Sequence, residues 1–174
     1  WRPWQGGRSQ LGPMQRDVAG LALLIVATLS FLGFLDFSSG ALLAWWANTL
    51  VQMFGWGAYI VAASLGLVGL WLLWPALGQR VPLTPAVVVG LEVALITLLV
   101  ATHAPLIVRD GADAAFLAAA AGRGGGYVGW ALALILVEEL GVLVSGVIMV
   151  VLFALAIYLL VSPAWGVMHD LVRD

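Results

Sequence analysis

The sequence contains no cysteine and no lysine, and it has few charged residues of any kind. Without cysteine there can be no disulfide, no thiolate chemistry and no cysteine-ligated metal site. Charged residues make up 9% of the chain, whereas about 25% is usual in soluble domains. The few arginines are scattered and form no basic track of the kind that follows nucleic acid phosphates. We therefore expect no direct contact with nucleic acid.

Apolar residues take the place of the missing charge. They make up 63% of the 174 residues, and the mean hydropathy is +1.09. A soluble fold of this length cannot hide so much apolar surface from water, so lipid must cover much of it. The first apolar run is too long for the core of a secretory signal peptide. The composition predicts an all-α integral membrane protein.

Four apolar runs are long enough to be transmembrane helices. As a helix the first run covers about 28 Å, close to the hydrocarbon thickness of about 30 Å. The four predicted spans are residues 17–35, 56–74, 86–103 and 141–162. They form one membrane domain, residues 17–162, between a flexible N-terminal arm at 1–16 and a polar exit segment at 163–174.

Two shorter apolar segments, residues 41–54 and 127–137, are predicted to be interfacial or re-entrant helices on the outer side. The apolar stretch from Tyr127 to Val161 would be about 52 Å long as one helix, so it must break. The pair Glu138-Glu139 followed by Gly141 indicates a charged break at the water interface. Aromatic residues of these segments are expected to anchor them or to present a surface to partners; they are Trp45, Trp46, Phe54, Tyr127 and Trp130.

A repeated glycine spacing divides the membrane domain into two similar halves. Gly40 and Gly55 bracket fourteen residues, and so do Gly126 and Gly141. Each bracketed segment leads directly into a predicted span. These four glycines, together with Ser145, are therefore predicted to break helices or to let helices pack closely.

The arginines indicate the orientation of the spans. Only Arg109 and Arg123 lie on the outer side, in the polar loop predicted for residues 105–126. The arginines on the opposite side are Arg2, Arg8, Arg16, Arg80 and Arg173. The positive-inside rule therefore predicts that both termini are cytoplasmic.

Two residues could carry chemistry inside the membrane. Glu92 is an acid well inside a predicted span, which indicates either proton or ion handling or a structural hydrogen bond to Thr97 or Ser64. His103 ends the third span and could be an axial ligand or, more simply, a polar anchor. No Walker A, Gly-x-Ser-x-Gly or His-Glu-x-x-His motif occurs. We predict no catalytic residue, no cofactor and no metal site.

Several stretches of the sequence resemble one protein family. Arg16–Leu21 opens the first span and Ser39–Ala41 follows the outer turn. Leu50–Tyr59 enters the second span, and Gly125–Gly129 precedes the fourth. Together they resemble the four-helix membrane domain at the N-terminus of FtsK/SpoIIIE-type DNA translocases.

The resemblance implies a non-catalytic anchor and assembly domain in the bacterial inner membrane, at the division septum. It implies a cytoplasmic ATPase motor for chromosome segregation beyond Asp174, and cell division proteins as partners. Membrane lipids are expected around the spans, and small residues at helical spacing favour a homo-oligomer or a larger membrane assembly. Because no Walker A motif is present, no ATPase residue carries over to this chain. Two alternatives remain: an accessory subunit of a respiratory or photosynthetic complex, and a small transporter. The transporter is disfavoured because each predicted half has two spans, which gives parallel rather than inverted repeats.

Overall fold

The structure, a computed structural model, describes residues 12–35, 40–73 and 85–171, and all its regular structure within these ranges is helical. The helices are α1 (Pro13–Phe34), α2 (Ala41–Phe54), α3 (Gly57–Leu73), α4 (Pro85–Asp110), α5 (Ala112–Ala120) and α6 (Gly126–Leu171). Three of them, α1, α4 and α6, are long and apolar enough to cross a membrane, and α2 with α3 forms a bent pair that allows a fourth crossing. The predicted all-α membrane class is confirmed at this level.

Helices α1 and α3 pack side by side in opposite directions. A Cβ placed on Gly20 would lie 2.9 Å from the carbonyl oxygen of Gly69, so the two backbones touch near one end of the pair. Near the other end the rings of Phe34 and Tyr59 lie 4.7 Å apart. Glycine allows this close approach because it has no side chain to separate the helices.

Helices α4 and α6 form a second antiparallel pair. A Cβ on Gly90, near the start of α4, would lie 3.2 Å from the carbonyl oxygen of Ala156. Further along α4, Gly129 at the start of α6 contacts the backbone of Leu99. The buried residues between α4, α5 and α6 form a hydrophobic core of Val100, Ala104, Ile107, Ala115 and Ala133.

The region predicted as an outer loop, residues 105–126, is largely helical. Helix α4 passes through Pro105 and ends at Asp110 rather than at His103, although Pro105 cannot donate a hydrogen bond to Ala101. Helix α5 follows after Gly111 and buries three alanines against its neighbours. The charges at positions 109, 110, 113 and 123 indicated a loop, and these residues are indeed exposed. Between them, however, Ala115, Ala118 and Ala119 are buried.

Helix α6 also extends beyond its predicted end. The backbone leaves helical geometry at Gly141, with φ 78° and ψ 160°, and then continues as a helix to Leu171. Pro163 was expected to end the span because it lacks an N–H group. Instead the Ser162 hydroxyl donates to the carbonyl of Leu159 at 3.2 Å, which is the carbonyl that Pro163 leaves unpaired.

Candidate functional site

Two glycine-rich turns interlock at the end of the bundle where α1 and α4 finish. Gly55 ends α2 with φ 55°, and Gly126 begins α6 with φ 61°. A Cβ on Gly55 would overlap the carbonyl oxygen of Gly124, and a Cβ on Gly126 would lie 2.5 Å from the Gly55 nitrogen. The Trp56 backbone N–H donates to that same Gly124 carbonyl at 3.3 Å. We call Gly55, Gly124, Gly125 and Gly126 the glycine junction.

Helix α4 also packs against the glycine junction. A Cβ on Gly125 would overlap the carbonyl oxygen of Leu99, and one on Gly57 would lie 2.6 Å from the Leu99 side chain. Leu99 itself is buried. One turn further along α4, the Thr102 hydroxyl accepts a hydrogen bond from the Trp56 indole N–H at 3.1 Å. Helices α2, α4 and α6 therefore meet through backbone contacts that larger residues would block, and Gly57 at the start of α3 packs on the Leu99 side chain.

His103 lies beneath α5 rather than at the surface. Its ring is fully buried, and Nε2 lies 3.0 Å from the carbonyl oxygen of Ala115. Because a carbonyl only accepts, Nε2 carries the proton. Nδ1 is buried without a hydrogen-bond partner among the described residues, and a Cβ on Gly124 would lie 2.8 Å from it. The histidine ties α4 to α5, a helix that the sequence analysis did not predict.

Two of the predicted aromatic residues of α2, Trp45 and Trp46, lie beside α1. Trp46 donates its indole N–H to the Ser30 hydroxyl at 2.9 Å. Trp45 is largely exposed and Phe54 is half-buried. Both tryptophans line an apolar cavity of about 490 Å³ between α1 and α2, and Gly40, which precedes α2, lines it as well.

The two predicted aromatic residues of α6 lie elsewhere. Tyr127 and Trp130 pack on Phe116 of α5, with ring centroids 5.7 and 5.1 Å from it. Trp45 and Trp46 therefore lie beside α1, whereas Tyr127 and Trp130 lie beside α5.

Glu92 lies on the exposed face of α4. Within the described ranges it makes no hydrogen bond or ion pair. The Thr97 hydroxyl donates to the carbonyl of Val93 at 2.7 Å and the Ser64 hydroxyl to that of Val61 at 2.9 Å, so neither bonds Glu92.

Ser145 stabilises the break in α6. Its hydroxyl lies 2.5 Å from the carbonyl oxygen of Leu136 and 2.7 Å from that of Gly141. It is therefore bonded to the helix on both sides of the break. Glu138 and Glu139 are exposed just before the break, and nothing lies within 4 Å of a Cβ placed on Gly141.

A polar pocket beside the glycine junction was missed by the sequence analysis. Its volume is about 410 Å³. Its lining residues are Thr102, Leu106, Arg109, Asp110, Ala114, Ala118, Arg123 and Gly124; we call it the basic pocket. Two arginines far apart in sequence meet there because α5 folds back against α4. The only sequence signal was the position of Arg123 between Gly122 and Gly124.

Neither a metal centre nor a known relative identifies the site. In residues 12–35, 40–73 and 85–171, no three His, Asp or Glu side chains come together in a way that could hold a metal ion. Compared with protein families, curated proteins and solved structures, the chain matches none.

Proposed function

We propose that this chain is a membrane anchor and assembly domain, non-catalytic in itself. The glycine junction carries this proposal, because it holds α2, α4 and α6 together through close backbone contacts. The outward faces of the spans are apolar, with Leu143 87% and Val150 70% exposed. A rigid body with such faces suits a lipid or a partner helix, and it raises the effective concentration of whatever is tethered to it.

The domain consists of two similar halves with four spans. Buried positions recur in α1 and α4 at the same spacing, which supports the duplication. The matched pairs are Gly20 with Gly90, Ala27 with Thr97, and Ser30 with Val100. The first pair also marks a close helix approach in each half, since Gly20 contacts Gly69 and Gly90 contacts Ala156.

Helix α2 and the first part of α6 are re-entrant or interfacial in this proposal, and both chain ends are cytoplasmic. Helix α2 is about 21 Å long, which is too short to cross the hydrocarbon core. It meets α3 at an angle of 111°, so the two do not form one straight span. The break at Gly141 divides α6 in the same way, into a short first part and a longer second part.

The finer proposal is an anchor of the FtsK/SpoIIIE type in the bacterial inner membrane at the division septum. Support comes from where the resembling stretches lie. Leu50–Tyr59 contains Gly55, and Gly125–Gly129 contains Gly126, so the two stretches contact each other in the glycine junction. The partners would be division proteins and further copies of the chain, and the tethered body a cytoplasmic motor.

Septal localisation tests the finer proposal. The chain fused to a fluorescent protein and expressed in a rod-shaped bacterium should form a band at midcell. A Gly55→Ala variant should lose the band, whereas Gly146→Ala, a helical glycine with open space around it, should keep it. Uniform membrane fluorescence of the unmodified chain, with no Walker A motif in the coding sequence downstream of Asp174, would reduce the proposal to a general anchor.

A second candidate, an accessory subunit of a larger membrane complex, is favoured by Glu92. A carboxylate on a span surface is costly in lipid unless a partner satisfies it, and Glu92 has no such partner among the described residues. Purification from native membranes should then recover a pigment- or haem-containing assembly, and Glu92→Leu should release the chain from it. Recovery of the chain without any cofactor would contradict this candidate.

A further inference from the structure

The length and the terminal charges of α4 favour headgroup depth for the basic pocket. The candidate span Ala86–Asp110 is about 37 Å long as a helix, which exceeds a hydrocarbon core of about 30 Å. Because Arg109 and Asp110 are charged, this excess length favours headgroup depth for the last turn of α4. Trp56, which donates to Thr102 of the pocket, and Trp130 lie near the same end, where indole rings favour the membrane interface.

Arg123 is held in place by the turn that carries it. The flanking Gly122 and Gly124 have φ values of 69° and 60°, and a Cβ on Gly122 would lie 2.5 Å from the Val51 side chain of α2. The backbone N–H of Arg123 donates to the carbonyl of Ala118 at 2.9 Å. The position of Arg123 is therefore set by both α5 and α2, while its side chain is exposed.

The pocket has one uncompensated positive charge. Arg109 donates from Nε and Nη2 to the two carboxylate oxygens of Asp110, at 2.8 and 2.7 Å. This pair neutralises itself but leaves the Nη1 donors of Arg109 free. Arg123 forms no ion pair with any residue in the described ranges. A single negative charge with several acceptor oxygens would complement this arrangement.

We infer that the basic pocket binds the phosphate of an anionic phospholipid headgroup. A phosphodiester has one negative charge and two free oxygens, which match the charge of Arg123 and the remaining donors of Arg109. The apolar wall of the pocket, including Leu106 and Ala118, leaves room for the glycerol backbone. Free inorganic phosphate offers the same oxygens but has no acyl chains to hold it at the membrane.

A single fluorescent label tests this inference. Because the chain contains no cysteine, Ala114→Cys provides one attachment point for bimane on the exposed rim of the pocket. Phosphatidylcholine nanodiscs with increasing phosphatidylglycerol should give a saturable change in bimane emission. Arg123→Gln should raise the phosphatidylglycerol fraction needed for half-saturation about fivefold, since one arginine near the surface contributes about that factor.

Arg16→Gln is the matched control. It removes the same charge at the opposite end of the bundle, where Arg16 lies 3.9 Å from Asp17, and should leave the half-saturation unchanged. Native mass spectrometry of the unlabelled chain should likewise show retained phosphatidylglycerol that is reduced in Arg123→Gln but not in Arg16→Gln.

Two results would overturn the inference. One is an equal change in bimane emission with phosphatidylglycerol in the labelled chain with and without Arg123→Gln. The other is a full response to millimolar inorganic phosphate in nanodiscs of phosphatidylcholine alone, which would identify the ligand as a soluble anion. Either result leaves the anchor proposal standing, because the glycine junction does not depend on the basic pocket.

Discussion

The chain turns at Gly55 and again at Gly141, and the surroundings of these two glycines are very different. Gly55, between α2 and α3, and Gly141, within α6, each end a fourteen-residue segment and each have a positive φ, 55° and 78°. Gly55 is enclosed by the backbone of Gly124 and Gly126, whereas nothing lies within 4 Å of a Cβ on Gly141. A positive φ alone can turn the chain, and the crowding at Gly55 serves a second purpose, which is to join the two helix pairs.

The hydrogen bonds at the two turns differ in the same way. Next to Gly55, the Trp56 N–H donates to Gly124, which belongs to the other half of the chain. Next to Gly141, the Ser145 hydroxyl donates within α6 itself. The Gly55 turn is therefore a contact between halves and the Gly141 turn is a local one, so substitutions at the two turns should have different effects.

The largest expected effect concerns the side of the membrane on which α6 ends. If the Gly141 turn separates an interfacial helix from a membrane span, as the Gly55 turn does, the chain crosses the membrane four times. Asp170→Cys should then react with an impermeant maleimide from the same side as Ser9→Cys. The readout is all or none, in inside-out against right-side-out vesicles. Labelling from opposite sides would mean that the chain crosses the membrane an odd number of times. The Gly141 turn would then not correspond to the Gly55 turn.

Alanine substitutions at Gly55 and Gly141 should distinguish the loss of stability caused by steric overlap from the loss caused by backbone torsion. Gly55→Ala should destabilise the fold by more than about 3 kcal/mol, since backbone strain adds to overlap with Gly124. Gly141→Ala should cost about 2 kcal/mol, because only the torsion is unfavourable. Unfolding in mixed detergent micelles measures both, and equal losses at the two sites would contradict the distinction.

Removing the hydroxyl at the Gly141 turn should have a moderate effect. Ser145→Ala loses the bonds to Leu136 and Gly141 and should cost about 1 kcal/mol in the same unfolding measurement. Ser64→Ala is the control, because the exposed Ser64 bonds to Val61 in a continuous part of α3 and should be close to neutral. A loss at Ser64 as large as that at Ser145 would show that the Ser145 bonds do not support the turn.

The smallest effect is expected one turn beyond Gly141. Gly146→Ala meets no atom within 4 Å and should raise stability by up to about 1 kcal/mol, since alanine favours helix. Unfolding in micelles again provides the measurement. A clear loss of stability, or a change in oligomeric state, would indicate that another helix packs on this face.

The sequence could predict those features that depend on neighbouring residues. The ends of α2 coincide with Gly40 and Gly55 because glycine interrupts an apolar helical run. The same reasoning fails for α5, where exposed charges at Asp113 and Arg123 mask three buried alanines. His103 was accordingly expected at an interface, and only the presence of α5 explains why it is buried.

The all-α membrane character and the positions of the glycine turns follow from the sequence by itself, because hydropathy and backbone torsion are properties of short segments. The tertiary structure alone decided that Gly55 meets Gly124 and Gly126, and that Arg109 and Arg123 share the basic pocket. These contacts join residues far apart in the chain, and they depend on where the helices cross. Periodicity and composition do not encode that crossing, because many crossings bury the same apolar faces equally well in lipid.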